Sequence, residues 1–238
     1  MRLPRVLMFT ATYDKKDYCL DEWAENVLTF TYKHFDKIII DNTNDNGEYF
    51  ESLKTRFEPM GFKVYHVERG NSSREALARS QNLARKIFLE GDYDYLFSLE
   101  SDIFPKMNII DALISHNLDI VTGLYMIGSE EKDTRTPCIT IPHYIKEKGT
   151  WGTRLLKPEE FIEYINQGPK LVAAGGMGCC MMYRDVIEKV AFTYIPGHNA
   201  HSDVFFFLDT ARKNYLTVVD TDLFCKHKNS EWEDVSDR

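Results

Sequence analysis

Residues Tyr95–Pro105 read YLFSLESDIFP, and the order of types in them is unusual. Tyr95–Leu99 is an apolar run of strand length. It stops at two acids, Glu100 and Asp102, with Ser101 between them, before the chain turns apolar again at Ile103. Open α/β sheets bind ligands at the carboxyl ends of their strands, and a buried strand closing on acids puts charge at such an end. An acid capping a helix at PKMNIIDALISH is the plainer alternative, but Ile103 and Phe104 separate Asp102 from Pro105. In an extended segment residues i and i+2 point the same way, so the two carboxylates are expected to face one pocket. Like charges so close repel unless a cation lies between them. A hard divalent ion, Mg²⁺ or Mn²⁺, meets that need and commonly joins carboxylates to phosphate oxygens.

On either side of this stretch the pattern alternates. Strand-like runs fall at Arg5–Tyr13, Lys37–Thr43, Phe62–Glu68 and LDIVTGLYM; helical spacing falls at DEWAENVLTFTYKHF, from Glu48 to Phe57, and from Ser72 or Ser73 to Phe88, with Gly91 as a stop. PKMNIIDALISH reads as a helix opened by its proline. Such alternation predicts an α/β fold: a mostly parallel central sheet flanked by helices, with a smaller C-terminal portion. The pattern weakens over residues 127–157, read as a loop or short hairpin. Helical signals return at Pro158–Asn166, Arg184–Lys189 and AHSDVFFFLDTARKNY, and LTVVDTDLFCKH closes as a strand. One domain over residues 1–238 is expected, with 1–126 binding a nucleotide and 127–238 completing the site.

Composition narrows the class. The 238 residues are 43% apolar and 28% charged, ordinary for a soluble globular chain. No apolar run reaches the roughly 20 residues that span a bilayer, and the N-terminus lacks a secretory pattern. Five cysteines, two of them adjacent, form neither a disulfide framework nor a CxxC zinc pair, so a reducing cytoplasm is expected. The net charge of −8 argues against non-specific nucleic-acid binding.

Four expected strand ends carry polar clusters: Thr10–Tyr13, Asp41–Asn42, Glu68–Asn71 and Glu100–Asp102. With these come TATYD, IIIDNTND, LARSQNLAR, AAGGMGCCMMYRD, HSDVFFFLDTARKNY and FCKHKN. In order and spacing the set resembles GT-A fold glycosyltransferases, close in plan to glycosyltransferase family 2, and covers most of the chain except residues 127–157.

The resemblance implies a Rossmann-like GT-A sheet, a nucleotide-diphosphate sugar (UDP- or GDP-linked) as donor and Mn²⁺ or Mg²⁺ as cofactor. It implies that Glu100, Asp102 and His227 hold the ion, although aspartate is usual where this chain has Glu100. Thr10, Ala11 and Tyr13 would pack around the base, Asp41 would contact base or ribose, and Ser101, Arg79 and Asn82 would lie near the donor. On the residues alone, Asp41 reads equally as a turn-former and Arg79 as part of an exposed helix face. Gly175 and Gly176, with Gly178, would let backbone approach the sugar, or else mark a bulged strand. Asp203 aligns with the family's base, with Ser202 where an acid is usual; as base it would serve an inverting transfer. Lys226 and Lys228 would neutralise the leaving diphosphate, and Trp232 would cover the nucleotide. Residues 127–157, with Lys132, Arg135, Lys146, Lys148 and Trp151, would face the acceptor: a saccharide, a lipid-linked glycan, a protein or a modified nucleobase. The readings left open are a retaining enzyme, a sugar nucleotidyltransferase and a non-catalytic nucleotide-binding protein.

Overall fold

The computed structural model of the protein describes residues 2–128 and 135–228. Its first part runs β1 (Val6–Thr12), α1 (Asp17–Leu28), β2 (Phe35–Asp41), α2 (Glu48–Phe57), β3 (Lys63–His66), α3 (Ser73–Glu90), β4 (Tyr95–Leu99), β5 (Ile103–Phe104), α4 (Ile109–Ser115) and β6 (Ile120–Leu124). Next come β7 (Met126–Ile127), β8 (Thr136–Pro137), β9 (Thr140–Ile145), β10 (Thr150–Leu155), β11 (Pro169–Val172) and β12 (Cys179–Tyr183). The last elements are α5 (Arg184–Lys189), α6 (Ser202–Arg212), β13 (Thr217–Phe224) and β14 (Lys226–His227). The main sheet has the order β11-β13-β6-β12-β4-β1-β2-β3, in which β11 and β12 run against the other strands. The fold is therefore α/β with a mostly parallel sheet.

Side-chain alternation along the strands builds the two helical layers. Val6 and Met8 of β1, Phe97 and Leu99 of β4 and Cys179 and Met181 of β12 point to one face, where Trp23 and Val27 of α1, Phe57 of α2 and Leu113 of α4 cover them. Leu7 and Phe9, Leu96, and Cys180 and Met182 point to the other, under Ala84 and Phe88 of α3, Val186 of α5 and Phe206 of α6. A strand covered on both faces must be apolar throughout, which is why β1, β4 and β6 read as continuous runs. Each large side chain in such a layer matters: truncating a buried phenylalanine costs about 3–5 kcal/mol.

Helix α3 begins where Ser72 accepts a hydrogen bond from the Glu75 N–H at 3.1 Å, and Glu75 Oε2 accepts from the Asn71 N–H at 2.9 Å. At its far end the Arg184 guanidinium donates to the carbonyls of Gly91 and Tyr93, at 3.2 and 2.7 Å.

Three segments differ from the sequence reading. Pro105 does not open α4, which starts at Ile109. Ile103 and Phe104 pair with β14, and the residue before a proline favours extended backbone, so the chain stays open there. Pro158–Glu163 forms a 3-10 turn rather than an α-helix. β12 lies antiparallel between β4 and β6 at the sheet centre, a placement that local pattern does not encode. Residues 140–155 form the β9–β10 hairpin. No helix among the described residues is long and apolar enough to cross a membrane.

Candidate active site at the carboxyl edge of the sheet

The chain leaves β4 at Leu99 and turns at once, the Ile103 N–H donating to the Glu100 carbonyl at 3.0 Å. Glu100 and Asp102 are therefore brought together by a turn and not by alternation along an extended strand, which corrects the geometry expected from the sequence. Asp102 is fully buried and Glu100 half-buried. The Glu100 N–H donates to the Gly178 carbonyl at 2.9 Å, fixing the turn against the start of β12.

β14 lies antiparallel on β5, with His227 opposite Ile103, and the Lys228 N–H donates to the Asp102 carbonyl at 2.9 Å. This pairing carries the His227 imidazole to Asp102, with Nε2 3.6 Å from Asp102 Oδ2. Its Nδ1 lies 2.7 Å from the Met126 carbonyl oxygen. A carbonyl can only accept, so Nδ1 carries the hydrogen and Nε2 turns toward the carboxylate. The Tyr125 ring stands edge-on to the imidazole, with centroids 5.4 Å apart.

Lys16, on the turn between β1 and α1, completes the cluster. Its Nζ donates to Asp102 Oδ2 at 2.9 Å, and its side chain is only 19% exposed. Burial opposes every charge here, but the attractions outweigh it at three positions. Burial pushes the Asp102 carboxyl up, yet Lys16 and His227 hold it well below the usual carboxylate range. Burial pulls Lys16 and His227 down, and the neighbouring carboxylates raise both above their ordinary values. Glu100 goes the other way: burial and the like charge of Asp102 push its carboxyl up despite Lys16. The charge of Asp203 adds a smaller push in the same direction.

Asp203 is half-buried in the first turn of α6, its Oδ1 accepting from the Val204 N–H at 2.8 Å. Ser202, where the family pattern has an acid, donates from its buried hydroxyl to Gln81 Oε1 of α3 at 2.5 Å. A hydroxyl pinned this way anchors the helix start, which leaves Asp203 as the carboxylate of the first turn.

The other expected site residues fall in varied places. Asp41 is buried with both oxygens engaged: Oδ1 accepts from the Thr43 N–H at 2.8 Å, and Oδ2 meets His66 Nδ1 at 2.7 Å. His66, one-third exposed, is thus what this strand end presents to solvent. Tyr13 lies under the Arg69 guanidinium, 4.7 Å from its ring centroid, and Arg69 donates to Asn42 Oδ1 at 3.1 Å. Ala11 is half-buried, whereas Thr10 and Ser101 are buried and their hydroxyls have no hydrogen-bond partner among the described residues. Arg79 pairs with Glu75 at 2.7 Å on the exposed face of α3 and donates to the Glu68 carbonyl. Asn82 clamps the backbone of Phe192, donating to its carbonyl at 2.7 Å and accepting from its N–H at 3.2 Å. Both side chains are thus spent on the protein's own structure, and neither joins the acid cluster.

The glycines have a packing reason. A Cβ on Gly175 would collide with the Thr122 side chain, and one on Gly176 with the Tyr125 ring. The Tyr125 hydroxyl also accepts from the Gly178 N–H at 3.0 Å. Trp151 is 70% exposed on the β9–β10 hairpin, its ring edge-on to Tyr144 at 5.5 Å. Lys146 and Lys148 occupy the hairpin's turn, and Arg135 is exposed. Lys226 is exposed and Lys228 half-buried, reaching Glu22. Lys132 and Trp232 lie outside the described residues. Sequence reasoning passed over Lys16, Tyr125 and His66, whereas Arg69 lies within the Glu68–Asn71 cluster that it singled out. Of the three, Lys16 left a sign, as one of two lysines shortly after the first strand end.

The donor set can be tested against the divalent ion that the fold family implies. Carboxylate oxygens and an imidazole whose other nitrogen bonds a backbone carbonyl are what Mn²⁺ accepts. Two ligands of one ion with bonds of about 2.1 Å lie roughly 3–4 Å apart, and Asp102 Oδ2 and His227 Nε2 meet that separation. The Lys16 ammonium is a stand-in cation on the same oxygen. Among the described residues, no three acidic, imidazole or thiol groups already converge into a ready metal centre. Asp102 and His227 fit the ion in kind and spacing, with Glu100 on the same turn.

No family model and no curated protein matches the chain. Solved structures do. A197 from STIV is 18% identical, with 95% of this chain and 87% of that one covered, at a TM-score of 0.48. GalNAc-T7, solved with UDP, GalNAc and Mn²⁺, is 13% identical, with 94% of this chain covered, at a TM-score of 0.64. This chain spans 44% of that longer one. At such identity the likeness to GalNAc-T7 reaches the fold alone, which is a GT-A-like α/β sheet.

Proposed function

We propose that the protein is a glycosyltransferase moving a sugar from a nucleoside-diphosphate donor, UDP- or GDP-linked, to an acceptor hydroxyl. The observation that carries this reading is the buried Asp102 gathered with Glu100, His227 and Lys16 at the carboxyl edge of β4. The GT-A-like fold, shared with a protein solved with UDP and Mn²⁺, supports it. Asp102 and His227, with Glu100 beside them, would hold Mn²⁺ or Mg²⁺. Bound there, the ion supplies Lewis acidity toward a departing diphosphate.

The protein's own groups do the rest. Arg69 over the Tyr13 ring, with His66 at the end of β3, is the polar surface offered to a base. Asp203, in the first turn of α6, takes the proton of the attacking hydroxyl at its carboxylate. The exposed Trp151–Tyr144 pair, with Lys146 and Lys148, is the acceptor surface.

Calorimetry with UDP- and GDP-sugars and Mn²⁺, followed by assay of transfer or donor hydrolysis, tests the proposal. Asp102→Ala is expected to lose Mn²⁺-dependent donor binding. Asp203→Ala is expected to keep binding and lose transfer by about 10²–10⁴-fold. Undiminished donor binding by Asp102→Ala sinks the metal role. Release of pyrophosphate instead of nucleoside diphosphate identifies a nucleotidyltransferase, and NMR of the product anomer separates inversion from retention.

A further inference from the structure

Lys16 has no part in the sequence motifs, yet its ammonium occupies Oδ2 of Asp102, the most buried acid in the site. It is held there by construction. The Lys16 N–H donates to the Tyr13 carbonyl at 2.8 Å, and the Tyr18 hydroxyl of the adjoining α1 donates to the Lys228 carbonyl at 3.1 Å. The β1–α1 turn is thereby tied to the strand that carries His227. Lysine is a compact point charge on a flexible four-carbon stem, able to leave one anion for another without backbone movement.

Competition for one oxygen governs the site's response to a divalent ion. Lys16 Nζ sits 2.9 Å from Asp102 Oδ2, the same oxygen that lies 3.6 Å from His227 Nε2. An ammonium and a divalent cation on one buried oxygen repel each other strongly, so the arrival of one favours the departure of the other. We propose that Lys16 is an exchangeable resident cation: it holds Asp102 until the divalent ion displaces it, and its ammonium then passes to the diphosphate of the incoming nucleotide. Metal and nucleotide thereby bind as a set, because each compensates the displacement that the other requires. The inference rests on the metal-dependent reading and adds a residue and a binding order to it.

The test is a Mn²⁺ titration followed by loss of the free-ion EPR signal, with and without UDP, on wild type, Lys16→Met and Lys16→Arg. Wild type is expected to bind Mn²⁺ weakly alone and more tightly with UDP. Lys16→Met is expected to bind Mn²⁺ alone at least roughly tenfold more tightly, about 1.4 kcal/mol, and to gain little from UDP. Lys16→Arg, which keeps the charge, is expected to stay near wild type. If Lys16→Met does not fold by circular dichroism, Lys16→Gln replaces it. Equal or weaker Mn²⁺ affinity in the neutral variant overturns the exchange and leaves the metal reading standing. Absence of Mn²⁺ binding in every protein, with and without UDP, overturns both.

Discussion

Arg79 and Asn82 stand three positions apart on α3, and the contacts they make assign them very different weights. Arg79 is 42% exposed, and its ion pair with Glu75 is the kind that contributes about 0–1 kcal/mol. Asn82 uses both ends of its amide on the Phe192 backbone, and removing it leaves a carbonyl and an N–H without partners at about 1–3 kcal/mol. Urea melts are expected to show Asn82→Ala destabilised by about that amount and Arg79→Ala changed by under about 0.5 kcal/mol. Neither substitution is expected to alter nucleotide binding in calorimetry. The acids after β4 were visible in the sequence because two charges interrupt an apolar run. The cation facing them was not, because Lys16 is distant in sequence and nothing local to either segment announces the pair. Asp41 shows the reverse case. Its position at a strand end and its local bond from the Thr43 N–H, that of a turn-former, were legible, but its occupation by His66 depends on pairing between β2 and β3.

Among the elements, β12 and the glycines before it carry the most unexpected structure. The apolar character of CCMMY was plain, while its direction and its seat between β4 and β6 come from non-local pairing that no period reveals. The parallel strands β1, β2 and β4 and helices α1, α2 and α3 were legible, since burial on two faces and helical spacing write themselves into the residue order. Pro105 misled because a proline can open a helix or end an extended segment, and pairing with β14 chose the second. The glycine loop is now open to a direct test. The Tyr125 ring fills the space beside Gly176, so Gly176→Ala forces a rigid ring to move and is expected to cost about 1–3 kcal/mol. Thermal melts with no donor present check this. An unchanged melt, with nucleotide-sugar binding lost, would instead mean that the glycine serves only the ligand.

Over the whole molecule, the thiols report how closely the two layers are packed. Cys19, Cys179, Cys180 and Cys225 are buried, and Cys138 is partly exposed. Burial pushes the Cys19 and Cys138 thiols up to about 12, so neither forms appreciable thiolate at neutral pH. Ellman's reagent at pH 7.5 is expected to label the native protein slowly, at Cys138 first, and all five thiols rapidly in guanidinium chloride. Fast labelling of more than one native thiol would contradict the packing described for β12 and α1.

The tie between the Tyr18 hydroxyl and the Lys228 carbonyl spans 210 positions of the chain, and the groups it steadies sit at the edge proposed to hold the ion. Loop closure over such a distance comes late when a polypeptide collapses, since distant contacts cost the most entropy and form after local ones. On the proposed metal reading, affinity for manganese should therefore return in the slowest phase of refolding, after helical circular dichroism has already recovered. The proposed ion site would in this sense be the protein's own indicator of completed folding.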